Sequence, residues 1–206
     1  MRKNILLLVI FLLVALIFSL FFLKFREKLK TKNNFIEVRP TTKPLKSNKD
    51  YYPIAQFRER INKKSFGVYI SPQDSPVQPE RFKGFHTGVD VEYEDIENDV
   101  PVFAVCDGEI VLSKWVSGYG GTLILKCGEN YYIYGHLNVD SIVKKTKILK
   151  GEDIANLGKG NTIETDYERK HLHFSINKNS ADLRGYVQNE DELDDWENPL
   201  EADIYE

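Results

Sequence analysis

The sequence predicts a mainly β domain carried behind one N-terminal membrane-spanning helix and a stalk. Three observations carry that prediction. All 13 glycines lie at or after Gly67, so only the later part of the chain has the tight turns a small β domain needs. Beyond Phe66, short runs rich in β-branched and aromatic residues alternate with turn signals, with no helical pattern between them. At the other end, Ile5 to Leu23 is an unbroken run of 19 residues whose only polar member is Ser19.

Taken in order, that run is long enough for a bilayer, since as a helix it measures roughly 29 Å. A signal peptide has a shorter apolar core and small residues at its cleavage site. Here the run closes on Leu20, Phe21, Phe22 and Leu23, with no lipid-accepting cysteine nearby. Residues 1–23 are therefore read as an uncleaved anchor. Arg2 and Lys3 precede it, and Lys24, Arg26, Lys28, Lys30, Lys32 and Arg39 follow it. That bias alone would keep the rest of the chain inside, although long domains cross regardless of such charge.

Residues 24–60 are Lys-rich, contain Pro40, Pro44 and Pro53, and show little periodicity. They read as a basic stalk that ends in a short helix near Ile54–Asn62, with an end-to-end distance of roughly 35 Å. The domain proper is placed at residues 61–206. Its predicted strands are Pro101–Val105, Glu109–Trp115, Thr122–Cys127, Tyr131–Tyr134 and His171–Ile176. Ser117–Gly121 reads as a hairpin loop, and the acidic stretch Glu190–Glu197 as a solvated helix or loop. The result is a compact, mainly antiparallel sheet with no internal repeat.

Composition narrows the function. With 12 Phe and 11 Tyr the chain has ample apolar surface to bury, which excludes a disordered protein. The net charge of −3 hides an asymmetry, because residues 1–50 hold 11 Lys and Arg against 3 Asp and Glu. The remainder is strongly acidic and would repel phosphates, so nucleic acid is not an expected partner. Cys106 and Cys127, the two cysteines, are too few for a disulfide framework. They lie near strands that could be neighbours and are read either as a disulfide or as a buried thiol pair.

The four histidines carry the chemistry. On a strand, His171-Leu-His-Phe-Ser-Ile176 sends Leu172, Phe174 and Ile176 into the core and His171, His173 and Ser175 to the other face. Two imidazoles about 7 Å apart can flank one small site. An exposed strand face with two incidental histidines explains the pair equally well. In His86-Thr-Gly-Val-Asp90, a straight strand would separate the two end residues by about 13 Å, too far for one metal. A bend at Gly88 leading into a strand would bring them together, with Val89, Val91 and Tyr93 facing the core and Asp90 beside Glu92 on the other face. His136, at the end of the strand Tyr131–Tyr134, reads by itself as a loop histidine.

Together, His86-Thr-Gly-Val-Asp90, Tyr134-Gly-His-Leu137 and His171-Leu-His173 resemble, in this order, the motifs of the M23 peptidases. These are the lysostaphin-like or LytM-type zinc endopeptidases that cut peptidoglycan peptides. Val100-Pro-Val-Phe-Ala104, Asp107-Gly108, Gly118-Tyr-Gly120, Lys150-Gly151 and Asn198-Pro-Leu200 support the resemblance. It implies a β domain with an active-site groove, Zn2+ held by His86, Asp90 and His173, and His136 with His171 as the catalytic pair. Three protein ligands leave a fourth position for water, the mark of a catalytic zinc site. Zinc acidifies that water, and a neighbouring imidazole can accept its proton. The expected partner is therefore the peptide part of peptidoglycan, met by a domain on the extracytoplasmic side of the cell membrane. Non-catalytic, wall-binding or hydrolase-activating modules of the same fold are the alternative. Those commonly lack a site residue, whereas this chain keeps all five. The sequence departs from the family pattern in a longer, charged approach to the H-x-H strand, Asn161–Lys170, and in an insertion at Ser180–Glu197. Tyr69 is available as a tyrosine for the oxyanion, though it does not align with the one some relatives use.

Overall fold

The computed structural model describes residues 51–205. The expected anchor and most of the expected stalk lie outside these residues. Twelve strands follow one another: β1 (Tyr69–Ile70), β2 (Gly84–His86), β3 (Gly88–Glu92), β4 (Pro101–Phe103), β5 (Gly108–Val116), β6 (Gly120–Cys127), β7 (Asn130–Leu137), β8 (Lys147–Ile148), β9 (Asp153–Asn156), β10 (His171–Asn177), β11 (Tyr186–Val187) and β12 (Trp196–Glu197). Helix among the described residues is confined to short 3-10 turns, and none is long and apolar enough to cross a membrane. Every strand pairing is antiparallel, as the sequence predicts.

The main sheet runs β12-β10-β7-β6-β5-β8, with β3 paired to β10 on the edge opposite β7. Its two faces differ, and side-chain alternation decides which residue goes where. Leu123 and Leu125, Tyr132 and Tyr134, and Leu172, Phe174 and Ile176 point into the larger core. Ile124 and Ile133 point the other way, where Tyr119 and Trp196 cover them. His171 and His173 share this second face with Ser175, which matches the alternation read from the sequence.

Residues 51–60 correct the expected stalk boundary. They pack into the core instead of extending from it: Ile54 and Phe57 are each 1% exposed. Ile54 bridges Val102, the Tyr51 amide donates to the Tyr205 carbonyl, and the Phe57 ring meets Phe174 edge-on. The expected helix at Ile54–Asn62 is also absent. A turn replaces it, with Gln56 at a φ of 52° breaking any helical path. Cys106 and Cys127 form a disulfide, which resolves the alternative left by the sequence.

One buried ion pair positions the wall beside the site. The ammonium of Lys64 meets the Glu80 carboxylate, and both side chains are almost fully buried. Glu80 also accepts from the amides of Arg81 and Phe82 and from Ser75 Oγ, each at 2.9 Å. These contacts pin the segment between β1 and β2. Burial pushes the Glu80 carboxyl up, but Lys64, the Phe82 amide and Ser75 outweigh it and lower its pKa. A depressed folded pKa contributes stability above the unfolded value, and that contribution is lost as pH falls through the folded one. Glu80→Gln should thus cost about 3 kcal/mol in urea unfolding at pH 7, by stranding the lysine. The gap between variant and wild type should narrow as pH drops below about 4.3.

Candidate metal centre

The strand break between β2 and β3 builds the site. It falls at Thr87, one residue before the Gly88 picked from the sequence. The Thr87 amide donates to the Gly185 carbonyl and its hydroxyl to the Arg184 carbonyl, so β2 leaves with β11 while β3 turns to β10. Gly88 is required there because a Cβ would lie 2.5 Å from the Phe174 carbonyl oxygen. The register then sets Asp90 opposite His173 and Glu92 opposite His171.

Among the described residues, His86, Asp90 and His173 converge as a trio of metal-capable side chains, all buried. His173 Nδ1 lies 3.1 Å from Asp90 Oδ1 and 3.1 Å from His86 Nε2. His86 Nε2 is 3.4 Å from the same Asp90 oxygen. Ligands about 2.0–2.1 Å from a tetrahedral zinc stand about 3.3 Å apart, so the three donors already have the spacing of one tetrahedral face. His86 Nδ1 faces the Ser65 carbonyl at 3.2 Å. A carbonyl only accepts, so that nitrogen carries the proton and Nε2 offers its lone pair. The donor set fits zinc.

Both other histidines are here as well. His171 Nε2 is 3.5 Å from Asp90 Oδ2, and the rings of His136 and His171 have centroids 4.3 Å apart. The reading of His136 as a loop residue is corrected, because it belongs to β7 and is 5% exposed. Its φ of 62° and the bond from its amide to the Tyr119 carbonyl turn the side chain to the site face. Its Nδ1 is buried without a hydrogen-bond partner in the protein. Burial, then the neighbouring His173, lowers the His136 pKa to about 3. Burial and the Arg169 guanidinium likewise depress His171. Burial opposes ionisation of Asp90, but the imidazoles of His171, His86 and His173 gathered around it hold its pKa well below the ordinary range.

Asp90, His136, His171 and His173 line a cleft of about 300 Å³, together with Lys64, Tyr119, Arg169 and Tyr186. Tyr69 is not among them; it sits on β1 against Phe85 and is 47% exposed. Two other tyrosines reach the site instead. Tyr119 Oη is 3.4 Å from His173 Nε2, and the Tyr186 ring packs beside His86. Arg81 ties the walls together by ion pairs to Asp166 and Glu168. Arg169 and Tyr186 escaped the sequence reading, while Tyr119 was visible only as part of the Gly118-Tyr-Gly120 loop.

The profile of peptidase family M23 matches residues 84–184, a span that holds His86, Asp90, His136, His171 and His173. No protein of curated function matches the chain in sequence. Among solved structures, it is similar to CbpA from L. salivarius REN at 20% identity, covering 74% of this chain and 93% of that one, with a TM-score of 0.49. It is also similar to the catalytic domain of the antimicrobial peptidase lysostaphin from Staphylococcus simulans, at 23% identity over 66% of this chain and 86% of that one, TM-score 0.46. A chain of the SpoIIQ–SpoIIIAH pore-forming complex matches at 18% identity over 75% of this chain and 90% of that one, TM-score 0.48. By its profile match and its ordered histidine and aspartate motifs, the segment 84–184 is of the peptidase family M23 type.

Proposed function

We propose that the chain is a membrane-anchored zinc endopeptidase that hydrolyses peptide cross-links of peptidoglycan, with its peptidase domain on the extracytoplasmic side. The observation that carries this reading is the tetrahedral spacing of His86, Asp90 and His173, of which Asp90 and His173 line a cleft that also holds the neutral His136 and His171. The Cys106–Cys127 disulfide supports an oxidising compartment. When bound, zinc would supply a Lewis acid for the scissile carbonyl and acidify a water molecule.

The residues then divide the work by tautomer. His171 Nδ1 lies 2.8 Å from the Arg169 carbonyl, so it carries the proton and leaves Nε2 as a proton acceptor. His171 is accordingly assigned as general base, turned toward the metal ligand Asp90. His136 stays neutral, and its unpartnered Nδ1 gains a partner when a substrate group enters the cleft. It is assigned as hydrogen-bond donor to the developing charge on the scissile carbonyl, while the proton that His171 accepts passes to the departing amine.

Digestion of purified peptidoglycan by the full-length, zinc-loaded chain tests the reading. Mass analysis should show fragments with newly freed amino and carboxyl ends at a cross-link or bridge peptide. Unaltered muropeptides from a folded, zinc-loaded sample would overturn it and favour a wall-binding module.

A further inference from the structure

Arg169 precedes β10 by two residues, and its guanidinium is buried, with 5% of the side chain exposed. Nη2 donates to Asp90 Oδ2 at 2.8 Å and to Glu92 Oε1 at 2.6 Å. Nε donates to Glu92 Oε2 at 2.8 Å. The carbonyl of the same residue accepts from His171 Nδ1. One residue therefore grips a metal-ligand candidate with its side chain and the proposed base with its backbone.

The two oxygens of Asp90 have separate tasks. Oδ1 faces His173 Nδ1 and His86 Nε2, whereas Oδ2 faces the guanidinium. A carboxylate whose second oxygen is held by a fixed donor cannot rotate to offer both oxygens to one cation. The donor is fixed because Glu92 holds the guanidinium from a second side, and the planar fork of arginine suits two carboxylates at once. Glu92 also neutralises the arginine, so the pair adds geometry without adding net charge beside the metal. The cross-strand register that sets Glu92 opposite His171 keeps this arrangement in place.

We infer that Arg169 is a positioning residue that restricts Asp90 to one-oxygen coordination and sets the ring of His171 through its carbonyl. The inference rests on reading His86, Asp90 and His173 as a zinc site. Its test compares the full-length wild type with an Arg169→Met/Glu92→Gln variant, which removes both members of the pair and leaves no buried Glu92 charge behind. Zinc affinity is measured by competition with a chromophoric chelator, and ligand geometry from the visible bands of the cobalt(II) protein. Affinity should weaken about 10- to 100-fold. The cobalt bands should lose intensity as Asp90 binds through both oxygens and the coordination number rises. Wild-type affinity and unchanged bands in the folded variant would overturn the inference. Should that variant fail to fold, Arg169→Lys decides. It keeps the charge but lacks the fork, so the same two changes are expected in smaller size, and their absence would overturn the inference equally. A wild-type chain that binds neither metal would overturn the zinc-site reading itself, an outcome separate from equal binding by wild type and variant.

Discussion

Asp90→Asn should abolish hydrolysis while leaving the β domain intact. The substitution keeps the shape of the side chain, and the new amide oxygen can still accept from Arg169, whose Nη2 reaches Oδ2 at 2.8 Å. What then faces His86 and His173 is an amide nitrogen, which is no ligand for zinc. Loss of a metal worth several kcal/mol to the transition state corresponds to a fall of about 10³-fold or more in muropeptide release. Metal analysis of the purified variant should show zinc lost. Urea unfolding of the metal-free proteins should differ by under about 2 kcal/mol, since Glu92 still holds Arg169. Full zinc content with undiminished hydrolysis would show that the trio is not the metal site.

The second large effect belongs to His171 and His136. Replacing either by Ala should lower kcat by about 10²- to 10⁴-fold, the range for a positioned acid or base, with zinc still bound. Retained metal is what separates these variants from changes at His86, Asp90 or His173. The two rings are 4.3 Å apart and serve one bond-breaking event. The double variant should therefore fall by far less than the product of the single losses, as for groups that act as a unit. Kinetics with metal content measured on the same samples decide this. Multiplicative losses would mean that the two rings work independently.

Much of this site is legible in the chain, because its donors lie on strands whose apolar partners announce the face. In β10, Leu172, Phe174 and Ile176 declare the core side and leave His171 and His173 no other direction. Four-residue spacing between His86 and Asp90 likewise demands a break, and Thr87 supplies it. Arg169 is illegible for the opposite reason. It stands in a charged run that resembles any solvated loop, and only the pairing of β10 with β3 brings Asp90 and Glu92 to it. Ile54 and Phe57 fail similarly. The run Tyr51–Phe57 shows no helical or strand period, and the burial of these two residues depends on Val102 and Phe174, far along the chain. His136 was legible through the motif Tyr134-Gly-His-Leu137 alone, since a positive φ inside a strand leaves no mark on local composition.

Gly120 adds a constraint on how such a cleft can diversify. It adopts a φ of 64°, and a Cβ there would lie 1.7 Å from the Glu164 carbonyl oxygen. The segment around Glu164 thus rests directly on the main chain at the start of β6, peptide against peptide. Exposed side chains of this segment, such as Ile163 and Tyr167, can be exchanged without altering that spacing, whereas any larger residue at position 120 must lift the rampart bodily. Width on this flank is a backbone dimension, and selectivity can drift through the decoration of the rampart while the aperture keeps its gauge.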